Sequence, residues 1–444
     1  MTHKKFHYPT KEALESEISS LGVHIPLTDD LSPLKKPVRI GSHTAANAIA
    51  IQPMEGCDGT ADGRPGELTL RRYDRFAKSG AGLIWAEACA IVPEGRANPR
   101  QLWLTAGNLD DYKKFVEGIK ETCRRENGFE PVVILQATHS GRYSKPEGVP
   151  APLIAYNNPI FEGDRPIAAD RILSDDYLFA LEEKFGQTAA LAQAAGFDGV
   201  DIKCCHRYLN SELLSAYTRP GAFGGSLENR TRLLMNGVRA AQAATGRGFL
   251  VTSRLNVYDG FPYPYGWGVS AQGGAEPDLA EPLALAGLLH GQLGMQLLDV
   301  TIGNPYFNPH VNRPFDQGGY VPDEHPLEGV ARMVSCVGQI QRAYPGLKVI
   351  SSGLSYLRQW SPHLAAAELA QGVCSLAGFG RQAFAYPEFP NDIFQRGALD
   401  PKKCCITCGK CTELMRAGST AGCVIRDPAY LPIYRRDVRK EAEA

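Results

Sequence analysis

Three cysteines recur every third residue in Cys405-Ile-Thr-Cys408-Gly-Lys-Cys411, and a fourth, Cys423, follows after eleven more residues. Thiolates at this spacing can wrap one side of an iron–sulfur cubane while the distant fourth closes it. Structural zinc more often takes two separated pairs of ligands, and unligated thiols are the remaining alternative. Five of the chain's 12 cysteines crowd residues 404–423, whereas a disulfide scaffold would spread its pairs through a small secreted chain. The spacing favours a [4Fe–4S] cluster on Cys405, Cys408, Cys411 and Cys423, with Cys404 a bystander. A second group able to do acid–base chemistry is Lys203, His206 and Tyr208, within DIKCCHRYL at 201–209. Alternation along a strand lets residues two apart share a face, so such a group can reach one pocket.

These groups need a scaffold, and short apolar runs supply one. Runs at 49–54, 83–88, 132–137, 199–203, 249–255, 297–303, 348–353 and 375–381 alternate with stretches such as 110–125 and 177–195, where Leu, Phe and Ala recur at helical spacing. The alternation predicts an α/β fold, a (β/α)8 TIM barrel over 1–395 with an N-terminal extension. A Cys-rich iron–sulfur segment and tail then occupy 396–444. Functional groups of such barrels gather at the carboxyl ends of strands and in the loops that follow. Three long loops, 138–171, 256–278 and 304–326, fit that demand, because structureless loops this long are usually binding loops. The middle one concentrates Tyr258, Phe261, Tyr263, Tyr265 and Trp267. It predicts an aromatic-lined pocket for a bulky or planar substrate, with loop packing and an oligomer contact as the other readings.

Composition narrows the function classes. Of 444 residues, 43% are hydrophobic and 21% charged, an ordinary globular balance that excludes collagen and wholesale disorder. Lys and Arg total 47 against 48 Asp and Glu, with no basic stripe, which argues against a nucleic-acid partner. Residues 1–17 lack the apolar run of a secretory signal, and no segment reaches transmembrane length. No membrane partner is expected, and the cytoplasm is the expected location.

An ordered set of motifs is more specific. Residues 37–54 (PVRIGSHTAANAIAIQPM), Glu87-Ala88, Gln136-Ala-Thr-His139-Ser-Gly141-Arg142, 201–209, 224–230 (GGSLENR), Arg254 and Gly380-Arg381 together resemble the Old Yellow Enzyme family of flavin oxidoreductases. With the four cysteines, the likeness is to the iron–sulfur branch, to the N-terminal part of 2,4-dienoyl-CoA reductase and trimethylamine dehydrogenase. The resemblance implies an FMN-binding barrel in which Pro53, Met54, Glu55, Ala88, Gln136, Arg254, Gly353, Gly380 and Arg381 surround the cofactor. Arg254 would face the N1/O2 edge, where a cation favours reduced flavin. Gln136, donor and acceptor at once, suits the pyrimidine edge. Gly353 and Gly380-Arg381 would grip the phosphate, the glycines by admitting backbone N–H groups and the arginine by a bidentate charge. The resemblance further implies an ene-reductase, with hydride passing from flavin N5 to one alkene carbon. A proton from Tyr208 would reach the other carbon while His206 anchors the activating oxygen.

Two positions depart from the family's pattern. Lys203 stands where many members have His, so an ammonium would assist carbonyl activation or meet a carboxylate. Glu55 stands where relatives carry Cys, Thr or a small residue near the flavin. Cys57 is out of register for a flavin-tuning thiol and is read as packing. No nucleotide fingerprint marks a separate dinucleotide domain. Electrons are therefore expected from NAD(P)H bound over the flavin or from an electron-transfer protein, with a small molecule as substrate and room for a homo-oligomer contact. The competing readings are an oxidative amine or C–N dehydrogenase whose electrons leave through the cluster, and an electron-transfer flavoprotein subunit.

Overall fold

Each of the eight apolar runs forms one strand of a closed, all-parallel barrel in the computed structural model, which describes residues 5–316 and 318–439. The strands are β1 (Ile49–Ile51), β2 (Leu83–Ala90), β3 (Val132–Thr138), β4 (Gly199–Ile202), β5 (Leu250–Asn256), β6 (Leu297–Thr301), β7 (Lys348–Ser351) and β8 (Leu376–Phe379). Closure comes from β8 pairing with β1, Gly378 opposite Ala50. The fold is the expected (β/α)8 barrel. Its strands are covered on both faces, which is why they read as continuous apolar runs. Helices Leu109–Asn127 and Asp175–Ala194 lie where helical periodicity placed them. Ser174 starts the second by accepting the Tyr177 amide hydrogen on Oγ at 3.2 Å. Gly128, at a φ of 79°, ends the first in a conformation that a side chain would resist.

Strand alternation sorts the barrel interior into layers. The lower layer is apolar: Ala50, Leu83, Trp85, Val132, Ile134, Leu250, Leu297, Ile350 and Leu376 form one buried cluster. A hairpin of Val38–Ile40 and His43–Ala45 plugs the N-terminal mouth by adding Ile40 and Ala45 to that cluster. Two residues further along each strand the same face carries Gln52, Gln136, Thr252 and Asp299, and above them Met54, Arg254 and Thr301. On β2 the pairing with β3 shifts between Trp85 and Ala88, which moves the alternation by one position. Ala88 thereby pairs with Gln136 and faces the cavity. Glu87 is left on the other face, where Arg72 donates to it.

The Cys-rich segment is fastened to the loop after β1. The Gly56 carbonyl accepts from the Ala421 amide at 2.6 Å and from Thr420 Oγ1 at 2.7 Å. Asp427 accepts two bonds from Arg71, at 2.8 and 2.9 Å, and one from Arg75. Glycine is required at 422, because a Cβ there would lie 2.2 Å from the Tyr430 ring. No helix among the described residues is long and apolar enough to cross a membrane.

Candidate active site

At the C-terminal end of the barrel the strand ends enclose a cavity of about 1060 Å³, counting its open mouth. Its wall contains Pro53, Met54 and Glu55 after β1, Ala88 in β2, Gln136 in β3, and Lys203, His206 and Tyr208 after β4. Arg254 in β5, Gly353 after β7, and Gly380 and Arg381 after β8 complete it. The folded chain thus brings every flavin and acid–base residue expected from the sequence onto one surface.

Two buried carboxylates organise the floor. Asp201 accepts from Gln136 Nε2 at 2.7 Å, from Trp85 Nε1 at 3.0 Å and from the Arg254 amide at 2.7 Å. Burial pushes its pKa up to about 7 against those donors. Gln136 spends its amide nitrogen there, leaving Oε1 as an acceptor for the cavity. Asp299 lies 3.0 Å from Arg254 Nε and accepts from Gln52 Nε2 at 2.9 Å. The Arg254 N–H is not aimed at that oxygen, since Nε makes no hydrogen bond; the contact is an ion pair alone. Arg254 is therefore both a structural partner of Asp299 and a cation in the cavity wall.

After β4 the chain turns through two successive left-handed residues, His206 at φ 62° and Arg207 at φ 59°. Each costs roughly 1–2 kcal/mol without glycine, and buried contacts offset it. Arg207 is wholly buried, paired with Asp259 at 3.1 Å and bonded to Ser215. The turn directs His206 and Tyr208 into the cavity. The Tyr208 hydroxyl meets that of Tyr306 at 2.7 Å, and Tyr143 packs on Tyr306 with ring centroids 4.2 Å apart. Burial, then Tyr306 and Glu55, push the Tyr208 pKa well above the usual phenol value, so it keeps its proton. Lys203 Nζ sits 3.4 Å from the centroid of the Tyr208 ring. Burial draws the Lys203 pKa down, opposed by Cys205 and Glu55. His206 Nε2 lies 3.3 Å from Asn312 Nδ2, whose two hydrogens also meet Thr301 Oγ1 at 3.0 Å and the Ile302 carbonyl at 2.8 Å. Burial, reinforced by Arg254, Lys203 and Arg313, holds the imidazole neutral. Glu55 accepts from Asn98 at 2.9 Å, and burial raises its pKa against the pull of Lys203.

The opposite end of the cavity suits a phosphate. Gly353 adopts a φ of 81°, and Ser352, Ser355, Gly378 and Gly380 line the wall beside Arg381. A Cβ on Gly378 would lie 2.4 Å from the Ser351 carbonyl, and one on Gly380 3.0 Å from Met54 Sδ. Arg381 is only 8% exposed, and its guanidinium makes no ion pair among the described residues. A buried unpaired guanidinium beside small residues fits the dianionic end of FMN.

Cys405, Cys408, Cys411 and Cys423 line a second, smaller cavity of about 380 Å³. The Thr407 amide points at Cys405 Sγ at 3.4 Å, and the Arg426 amide at Cys423 Sγ at 3.3 Å. Such N–H donors stabilise thiolate ligands of clusters. Among the described residues no three of His, Cys, Asp and Glu converge on one point as a single bound ion requires. A cubane asks for less convergence, because each thiolate meets a different iron, so these residues fit that group. Cys404 is outside this wall, donating to the Asp400 carbonyl at 3.4 Å. Arg381, Phe384 and Cys411 line both cavities, so a single layer of side chains separates them.

The aromatic loop corrects the sequence reading. Tyr258, Phe261, Tyr263, Tyr265 and Trp267 line no part of the main cavity. Trp267 is fully buried and donates its Nε1–H to the Asn256 carbonyl at 2.9 Å, while Phe261 packs on Phe161 and Phe307. Loop packing uses them, and the cavity takes its aromatic surface from Tyr208, Tyr306 and Phe384. His139 is likewise structural: its Nδ1 accepts from the Gly141 amide at 3.0 Å, and burial drops its pKa to about 3. Sequence reasoning missed Tyr306, Asn312 and Arg313, all on the 304–326 loop it had marked as a binding loop.

The family model for the NADH:flavin oxidoreductase / NADH oxidase family matches residues 33–264. An NADPH dehydrogenase of Halalkalibacterium halodurans is 30% identical over 265 residues, 59% of this chain and 70% of that protein. An NADH oxidase of Thermoanaerobacter brockii is 26% identical over 422 residues, 91% of this chain but 58% of that protein, so this chain spans under two thirds of that relative. The solved structure of a 2-naphthoyl-CoA reductase complex superimposes with a TM-score of 0.72 at 19% identity, over 90% of this chain and 59% of that one, a likeness of fold. With over half its length matched, and with that match running from the hairpin plug through the cavity-lining ends of β1 to β5, the chain belongs to the NADH:flavin oxidoreductase / NADH oxidase family.

Proposed function

We propose that the protein is an FMN- and [4Fe–4S]-dependent ene-reductase that saturates an activated C=C bond. When bound and reduced, FMN supplies hydride at N5 to one alkene carbon. Tyr208 holds the proton for the other carbon on its hydroxyl, and its high pKa keeps that proton in place until charge develops on the substrate. Tyr306, 2.7 Å away, solvates the phenolate left behind. The ring N–H of neutral His206 is the donor for the activating oxygen, where enolate charge accumulates. Arg254, fixed by Asp299, and Gln136, fixed by Asp201, present a cation and an acceptor to the flavin edge. Gly353, Gly380 and Arg381 hold its phosphate, and the four thiols hold the cluster behind the shared wall. NAD(P)H entering the cavity mouth, or an electron-transfer protein at the cluster, restores the reduced state.

The observation that carries this reading is the convergence of a protonated phenol and a neutral imidazole on one wall of a cavity with a phosphate-compatible end. Amine oxidation is the weaker reading, because a cavity wall with Arg254, Arg313 and Arg381 against the one acid Glu55 among the described residues is net basic and suits a protonated amine less. The test is an anaerobic assay with reduced methyl viologen as electron source and a panel of enals, enones, 2-enoates and amines. Saturated product from an alkene supports the proposal. Turnover of amines alone, run with an electron acceptor, overturns it.

A further inference from the structure

The cysteine-lined cavity opens on a surface of marked charge. Its wall holds Lys410, Arg426 and Arg381 and, among the described residues, no Asp or Glu. Ile406 and Ile425 line it as well, and Ile425 is 41% exposed. Cys405, Cys408, Cys411 and Cys423 are partly exposed, whereas the other eight cysteines are buried. Residues 400–439 carry eight Lys and Arg against four Asp and Glu, in a chain that totals 47 against 48. Those four acids are engaged within the fold: Asp427 by Arg71 and Arg75, Asp437 by Arg436 and Ser419, Glu413 by the Tyr434 hydroxyl and, at 4.0 Å, by Lys410, and Asp400 by the Lys402 amide. Arg381, in the wall shared with the main cavity, is placed to meet the charge of the cluster itself. Lys402 and Lys403 stand in solvent just before the first thiols. A cation-rich surface over a redox group steers an anionic partner towards it.

We propose that this face docks a small acidic electron-carrier protein, which Lys402, Lys403 and Lys410 select by charge and Ile425 meets by apolar contact. The proposal rests on the cluster reading and specifies the partner of that same site. In each encounter the reduced carrier gives one electron to the oxidised cluster and leaves oxidised. Two encounters supply the electron pair that one C=C bond takes up, and water supplies the two protons that accompany it. A hydride donor such as NAD(P)H delivers its electrons as a pair and cannot load a one-electron centre directly, so an opening over the thiols suits a one-electron donor. Two encounters per turnover also require fast release. A small contact of one exposed isoleucine among lysines meets that need, since electron-transfer encounters sit at the low end of interface size and charge acts chiefly on their association rate.

The test is anaerobic stopped-flow reduction of the oxidised holoprotein by two donors. One is a reduced [2Fe–2S] ferredoxin of plant type, an acidic one-electron carrier; the other is the methyl viologen radical cation, too small to need a docking face. The ferredoxin rate is expected to fall about 10-fold or more between about 50 and 500 mM NaCl, while the viologen rate does not fall. Lys402→Glu with Lys410→Glu should slow the ferredoxin about 10- to 100-fold at low salt and leave iron content, FMN content and viologen reduction intact. The milder Lys402→Gln with Lys410→Gln should fall between. Ile425→Glu should also slow the ferredoxin alone. A ferredoxin rate indifferent to salt and to charge reversal, or no reduction by ferredoxin where viologen succeeds, overturns the proposal. A dimer that Ile425→Glu splits without changing the ferredoxin rate makes the face a contact between copies and overturns it too. Protein that holds no iron yet is reduced by viologen overturns the cluster reading itself, an outcome that iron analysis separates from the others.

Discussion

The hydroxyl oxygens of Tyr208 and Tyr306 lie 2.7 Å apart across the cavity wall, one on the turn after β4 and the other on the loop after β6. In the proposed mechanism the pair shares one proton-transfer role unequally. Tyr208→Phe keeps the ring and its packing, so FMN content and flavin reduction should survive. Reoxidation by an alkene should slow about 10²- to 10⁴-fold, the usual worth of general-acid help. Tyr306→Phe removes a single neutral hydrogen bond of about 1 kcal/mol, so its loss should be about 5- to 10-fold. Stopped-flow absorbance of the flavin separates the two, and equal rates for Tyr208→Phe and wild type would move the acid role to another group.

The proposed cofactor site gives Arg381 the phosphate end. Charge-assisted hydrogen bonds are worth about 1.5–3 kcal/mol, so Arg381→Ala should weaken FMN binding about 10- to 100-fold while the barrel stays folded. Riboflavin, which lacks the phosphate, should bind wild type and variant alike. Fluorescence titration of deflavinated protein measures both, and an unchanged FMN affinity would remove Arg381 from the cofactor site.

The cluster assignment predicts about four irons per chain in anaerobically purified protein. Cys408→Ser should lose the cluster and keep FMN, because Cys408 lines the cluster cavity and not the main one. Cys404→Ser should lose neither, given its place outside the cluster wall. Iron and sulfide analysis checks both, and full iron in Cys408→Ser would refute the ligand set.

Asp201 gives the fold a pH signature. Its folded-state pKa of about 7 lies above the ordinary aspartate value, so the folded chain keeps a proton that the unfolded chain has released between about pH 4 and 7. The stability this contributes is fully present below pH 4 and is lost as pH rises through 7. Asp201→Asn, which mimics the protonated form, should flatten that decline. Urea midpoints measured from pH 5 to 8 test it, and parallel profiles for variant and wild type would contradict it.

The barrel was legible because each strand is a doubly buried apolar run bounded by helical stretches, and because cavity residues sit at two-residue steps. The same alternation places Lys203 above Asp201 and Met54 above Gln52. The bulge between Trp85 and Ala88 left no mark in residue type, so only the folded pairing explains why Glu87 faces Arg72 while Ala88 faces the cavity. The 304–326 loop has no periodicity to tell which of its side chains turns inward, and Tyr306 and Arg313 were hidden there. Aromatic density misled at 256–278. Trp267 and Phe261 are equally apolar whether they line a pocket or seal a loop, and only the hydrogen bond of Trp267 to Asn256 decides.

Single-turnover reoxidation of photoreduced protein under anaerobic conditions tests ene reduction most directly. With a 2-enoate or an enone, the flavin absorbance should return in one phase and yield one equivalent of the saturated product. Failure of every activated alkene to reoxidise the flavin, together with bleaching of the oxidised protein by an amine, would contradict it.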